Sequence, residues 1–249
     1  MAEKGIARLT AAGQESGPLL YRYFSLQYGL EALQTGYWKV GRIAELNDPF
    51  DCRPQITHVP AGTPGGVEFP KQYLSTMMSN FGLLCFSEVI SDPVIWSHYA
   101  ECHRGIALGF DIHRNYNGVL QVTYGSIPPA LNMGTLASLM QPYAQRENEI
   151  HIFQQGFTKK APSWSYEKEW RQFIKLDECT MHGVHYFQSL PASALREVVL
   201  GAKCPMEMLD VERIVRKLPG RRRGVRVKQC RMIEASYEFE FDFFPQNAR

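Results

Sequence analysis

The chain has 249 residues, 45% of them hydrophobic and 12% aromatic, enough for one large core and far from a disordered or collagenous composition. Its net charge of +2 is uneven: Lys203 to Arg231 holds ten Lys or Arg against Glu207, Asp210 and Glu212, so that segment carries +7 and the remainder about −5. No apolar run approaches the roughly 20 residues of a membrane span, and no apolar stretch follows Met1–Gly5 as a signal sequence would, so a cytoplasmic protein with no membrane contact is expected.

In chain order, residues 1–17 read as a loosely ordered arm, and residues 18–249 as a single domain. Leu19–Phe24 has strand character. Ser25 stands at an N-cap position before Leu26, Leu30 and Leu33, which are spaced for a helix that Gly36 would stop. Tyr37–Val40 suits a second strand, and Asn47-Asp48-Pro49-Phe50-Asp51 a turn anchored by Phe50. Pro60–Gly66 has the composition of a surface loop. A helix from Pro70 to near Asn80 and a buried strand over Gly82–Ser87 follow. Asp92-Pro93 then opens a helix with Trp96, Tyr99 and Ala100 on one face.

Ile106–Phe110 and Val119–Tyr124 suit strands, a longer helix is expected somewhere between Thr135 and Gln155, and residues 165–175 suit a further strand. The apolar run Glu197–Gly201 leads to a helix near Pro205–Lys217. Val225–Lys228 and Tyr237–Phe243 alternate with period two, predicting a hairpin with Glu238, Glu240 and Asp242 on one face, available to pair with basic residues opposite. Strands and helices in no regular alternation give an α+β class. Six scattered cysteines without a C-x-x-C pair are expected to be free and mostly buried thiols.

Chemistry concentrates in Trp164-Ser-Tyr-Glu-Lys-Glu-Trp-Arg171. As a strand it places Ser165, Glu167, Glu169 and Arg171 on one face. As a short helix it explains Glu167 and Arg171 as a surface ion pair at i, i+4. His98 and His103, five residues apart, do not share a helix face, so no metal site is expected. Phosphate-loop, serine-elbow and dinucleotide fingerprints are absent from the sequence.

A dispersed polar set remains: Arg22 with Tyr23 on the first strand, Ser87 at a strand end, and Glu167-x-Glu169. Breaking an N-glycosidic bond to ribose develops positive charge on the sugar, which suits Glu169, while Glu167 can prepare the acceptor and Arg22 can hold pyrophosphate.

Tyr21-Arg22-Tyr23-x-Ser25, Asn47–Asp51, Cys85-Phe86-Ser87-Glu88, Trp96-Ser97-His98-Tyr99 with His103 and Gly105, Tyr166–Arg171 and Val198–Gly201 together resemble the bacterial domain-of-unknown-function family two-nine-seven-one. At greater distance the order Arg22, Ser87, Glu167-x-Glu169 is similar to that of ADP-ribosyltransferases, although Glu88-Val89 stands where a second serine would follow Ser87. That likeness implies a split β-sandwich flanked by helices, NAD as the substrate cofactor, Glu169 and Glu167 as catalytic residues, and Arg22, Tyr23, Ser87, Trp96, His98 and Tyr99 as cofactor-binding residues. The implied activity is ADP-ribosyl transfer of toxin or phage-defence type to a nucleic-acid or protein acceptor, with Arg221, Arg222 and Arg223 available to nucleic acid. Two other classes compete: a nucleotide- or nucleic-acid-binding module without turnover, and a metal-dependent nuclease built on Asp48, Asp51 and Glu101.

Overall fold

In the computed structural model the described residues are 19–58, 68–112, 119–132, 156–191, 193–218 and 224–244. The residues expected to form the N-terminal arm, the Pro60–Gly66 loop and the helix between Thr135 and Gln155, and the Arg221–Arg223 run, lie outside them. The architecture is mixed α+β, with a large mixed sheet and several helices. No described helix is long and apolar enough to cross a membrane.

The chain divides into two compact units, one comprising residues 1–38, 86–116 and 188–249, the other residues 39–85 and 117–187. In the first unit, β1 (Leu20–Phe24), β5 (Ile106–Phe110), β13 (Leu195–Leu200), β14 (Arg226–Met232) and β15 (Phe239–Phe243) lie in that order. The pairing is antiparallel except for β13 with β14, which run parallel with Glu197 opposite Arg226 and Val199 opposite Lys228. Every residue of β5 is buried, and so is all of β13 but Arg196; continuous apolar runs suit strands covered on both faces.

Two helices of this unit begin and end where local chemistry dictates. In α1 (Leu26–Thr35) Ser25 accepts a hydrogen bond from the Tyr28 amide, and Gly36 closes the helix at a left-handed φ of 73° that residues with a Cβ resist. In α3 (Pro93–Tyr99) Asp92 accepts from the amides of Val94 and Ile95, with Pro93 in the first turn. Its Trp96 and the capping Ala100 are buried in a cluster with Tyr21, Ala107, Val199 and Cys230, while Tyr99 is half-buried. Chain crossing is tightest at Gly105, where an added Cβ would lie 2.0 Å from the Phe24 carbonyl oxygen. Gly105→Ala is therefore expected to cost about 1–3 kcal/mol, read as a fall in the urea midpoint; an unchanged midpoint would contradict that packing.

In the second unit, β2 (Tyr37–Arg42), which starts in the first, pairs with β4 (Phe81–Ser87) through Gly41 and Leu83. β6 (Val119–Gln121) pairs with β10 (Glu169–Lys175). Two short parallel pairs join β3 (Gln55–Thr57) to β8 (Ala130–Asn132) and β7 (Thr123–Tyr124) to β9 (Lys159–Lys160). β11 (Thr180–His182) and β12 (His185–Ser189) form a hairpin, and α2 spans Glu68–Asn80. Its core gathers Ile43, Cys52, Leu74, Phe81, Leu131 and Phe157. In the first unit a last helix, α4 (Met208–Arg216), begins three residues after the expected Pro205.

Several expectations are corrected. Residues Pro162–Glu167 form a 3-10 helix rather than the start of a strand, because Pro162 fixes φ at the first turn and the Trp164 amide bonds back to the Ala161 carbonyl. Lys168 then adopts a left-handed φ of 42°, and the strand begins only at Glu169. The expected Val119–Tyr124 strand breaks at Val122, whose amide goes to the Glu169 carbonyl before Thr123 turns to Thr158. Phe50 anchors nothing: it is 84% exposed, and the buried carboxylates of Asp48 and Asp51 hold the turn instead, accepting from the amides of Phe50 and Cys52. All six cysteines are free, but only Cys52 and Cys230 are buried. The C-terminal hairpin carries the expected charge pairing, with Arg231 on β14 bonded to Asp242 and 3.8 Å from Glu240.

Candidate functional site

In the second unit five charged side chains meet in the interior. Asp51, Lys160, Glu167, Glu169 and Arg171 are each at most 8% exposed. Local geometry explains their convergence. The β7–β9 pairing sets Lys160 opposite Tyr124, and the 3-10 helix turns the chain back so that Glu167 returns to Lys160. The left-handed Lys168 then redirects it into β10, where Glu169 and Arg171 share a face.

Lys160 Nζ lies 2.6 Å from Glu167 Oε2, 3.0 Å from Glu169 Oε2 and 3.8 Å from Asp51 Oδ2. Arg171, fully buried, grips two carboxylates at once. Its Nε donates to Glu169 Oε1 at 2.8 Å and its Nη1 to Asp51 Oδ1 at 2.9 Å, while Nη2 reaches both acids. Nη1 also donates to the Phe157 carbonyl at 2.7 Å. This is the planar-fork geometry that makes arginine suited to paired acceptors. The Tyr124 hydroxyl oxygen accepts from the Glu169 amide at 2.8 Å, and the Trp164 ring lies 4.7 Å from Lys160 Nζ, with Tyr166 tilted against Trp164.

The charges reinforce one another. Burial opposes ionisation of Glu169, but Arg171 and Lys160 overcome it and hold its carboxyl at about 2. Burial likewise opposes the charge on Lys160, yet Glu169 and Glu167 drive its pKa above the usual lysine value. Burial pushes the Cys52 thiol up to about 12, so this cysteine, 3.3 Å from Arg171 Nη1, is no nucleophile at neutral pH. Three carboxylates here share the two cations Lys160 and Arg171 in a buried interior, where charge interactions are strong. Such an arrangement favours a positive charge developing beside it.

Of the residues singled out from sequence, Glu167 and Glu169 meet in this cluster. The alternative of a surface ion pair is not what forms, since the acids and Arg171 are buried. Asp51, assigned to a turn and to the nuclease alternative, is bound up with Arg171 and Lys160. Lys160 was missed, because its partnership depends on a backbone reversal that no local pattern announces.

The residues expected to bind the cofactor, Arg22, Tyr23, Ser87, Trp96, His98 and Tyr99, belong to the first unit. Tyr23, Ser87 and Trp96 converge on one short loop. The Tyr23 hydroxyl donates to the Val89 carbonyl, Ser87 Oγ accepts from the Val89 amide at 2.9 Å, and Trp96 Nε1 donates to the Ile90 carbonyl at 2.7 Å. Burial raises the Tyr23 pKa well above that of a free phenol. His98 is exposed, with its ring edge-on to Tyr99 at 6.0 Å. The Arg22 guanidinium lies over the rings of Trp38 and Phe24, at 5.1 and 5.4 Å.

The first unit has a charged cluster of its own that sequence reasoning did not single out. Glu197, 1% exposed, accepts from the Tyr21 hydroxyl at 3.0 Å and pairs with Arg226 at 2.6 Å and Lys228 at 2.7 Å. The signal was a lone carboxylate inside the apolar run Leu195–Leu200, which burial obliges to find partners. Among the described residues no group of three or more His, Cys, Asp or Glu is arranged to hold a metal ion. An open groove of about 680 Å³ in the second unit is lined by residues including Asn80, Lys175, Asp177 and Tyr186, and by none of the five cluster residues.

A mixed α+β chain with a buried acid pair clamped by lysine and arginine is the class that the fold and site define. Residues 95–172 match the model of the family described as "Protein of unknown function (DUF2971)", and that segment of the chain is of this family. The matched segment holds both Trp96-Ser97-His98-Tyr99 and the Glu167-x-Glu169 motif. No curated protein and no solved structure gives a significant match.

Proposed function

We propose that this protein is an NAD-consuming ADP-ribosyltransferase in which Glu169 is the catalytic carboxylate. The observation that carries the reading is the position of that side chain: a buried carboxylate fixed by Arg171 and Lys160, which hold its pKa below the ordinary carboxylate value, with the Glu167 carboxylate on the same lysine. When the bond between ribose and nicotinamide breaks, nicotinamide leaves with the bonding pair and the sugar becomes cationic. A carboxylate that is already oriented lowers the energy of that state more than that of the neutral sugar. Glu167, held by the same lysine, accepts the proton of the attacking group as the new bond to the sugar forms.

The cluster is buried, so the proposal requires the 3-10 helix bearing Trp164 and Tyr166 to move aside when substrate enters. Tyr23, Ser87 and Trp96 use polar atoms to shape the Val89–Ile90 loop, and in this proposal they serve as framework. The acceptor is a nucleic acid or a protein.

The test is release of free nicotinamide from NAD by the pure protein in the presence of candidate acceptors. Absence of release with every acceptor would overturn the reading. It would favour a binding module in which the buried ion network serves stability alone, a role that the mutual neutralisation of Lys160, Arg171 and their acids also fits.

A further inference from the structure

The last two strands carry a feature that the proposed chemistry leaves unused. On β15, Phe239, Phe241 and Phe243 alternate with Glu240 and Asp242, so the aromatic rings share one face and the acids the other. On β14, Arg226 and Lys228 stand two residues apart beside that aromatic row. Lys228 is opposite Phe243 in register, and its Nζ lies 5.0 Å from the Phe243 ring and 5.8 Å from that of Phe241. The Phe243 side chain is largely in solvent, at 57% exposed, and so is about half of the Arg226 side chain, at 49%. The Arg226 guanidinium engages Glu197 through Nη2.

We infer that this strip of β14 and β15 is a binding surface for single-stranded nucleic acid, with a base stacked on Phe243 and backbone phosphate held by Arg226 beside Lys228. Three observations favour that partner. Phe239 and Phe241 pack against the buried cluster around Trp96, which leaves Phe243, at the open end of the row, as the ring available to a base. Arg226 and Lys228 against Glu197 leave a net +1 on this face, whereas Arg231 against Glu240 and Asp242 leaves −1 on the other, so a polyanion distinguishes the two. The two cations Arg226 and Lys228 also lie within the Lys203–Arg231 segment, whose excess of positive charge draws a polyanion from a distance. A duplex stacks its bases internally and offers no face to Phe243, so the partner is single-stranded.

The surface is independent of turnover at Glu169, and its test reads binding alone. Fluorescence anisotropy of the full chain with a labelled mixed-sequence RNA of about twelve nucleotides should show binding that weakens steeply with salt. Phe243→Ala should weaken it about tenfold, whereas Phe243→Tyr, which keeps a stacking ring, should retain it. Arg226→Gln should lower the slope of log affinity against log salt by about 0.7, the loss of one phosphate contact, and Arg231→Gln on the opposite face should leave the slope unchanged. Each variant is checked for native circular dichroism. No binding at low salt, equal preference for duplex, or Phe243→Ala and Arg226→Gln proteins that bind as the parent does would overturn the inference.

Discussion

Replacing Arg171 by Met is expected to lower the unfolding free energy by about 3–5 kcal/mol, measured by urea denaturation at neutral pH. Arg171 is the fully buried partner of two carboxylates and a backbone carbonyl. Methionine fills much of its volume but leaves Asp51 and Glu169 with Lys160 as their remaining cation, and stranded buried charge is what makes such changes severe. Adding Asp51→Asn to Arg171→Met should recover part of the loss, because the second substitution removes one stranded charge. Arg171→Lys should also destabilise, since an ammonium cannot reach both acids as a fork does. A loss under about 1 kcal/mol for Arg171→Met would mean that water reaches the cluster and screens it.

The second large effect concerns turnover. Glu169→Gln is nearly isosteric and keeps an oxygen for Arg171, yet removes the negative charge that stabilises the ribosyl cation in the proposed reaction. Nicotinamide release should fall on the order of 10²- to 10⁴-fold, about 3–5 kcal/mol of barrier, in a protein with native circular dichroism. Glu167→Gln should reduce transfer to the acceptor more than cleavage of NAD, since its proposed role is to take the acceptor's proton. A Glu169→Gln protein that released nicotinamide at the parent rate would remove Glu169 from the chemistry.

Much of the fold was legible because its signals are local. The Ser25 cap, the Gly36 stop and the Asp92-Pro93 start act within one helical turn, and each stands where the sequence put it. The β14–β15 hairpin was legible for the same reason, as period-two alternation reports one pleated surface. The octapeptide around Glu167 misled because alternation and 3-10 geometry fit the same letters. Pro162, two residues upstream, and the left-handed Lys168 decide between them. That Glu167 and Glu169 lie together was nonetheless readable, as a turn and a strand both return them to one side.

What was not readable depends on distance along the chain. Arg171 meets Asp51 across 120 residues, and Glu197 meets Tyr21 across 176, so neither partnership leaves a mark in a window of sequence. Phe50 shows the converse error. An aromatic residue in a turn suggests an anchor, but the two neighbouring aspartates took the interior and left it in solvent.

The account turns on Glu169 being a buried carboxylate kept ionised by its two cations. Its folded pKa of about 2 lies below the ordinary 4.5, so its contribution to stability is complete above pH 4.5 and is lost as pH falls towards 2. Carbon-13 NMR of the Glu169 side-chain carboxyl, assigned by its disappearance in Glu169→Gln, reads this directly in the folded protein. The account predicts a resonance that stays at the ionised position until the protein unfolds in acid, and a midpoint that moves up in Arg171→Met. A midpoint at 4.5 or higher in the parent protein, unmoved by the loss of Arg171, would contradict it.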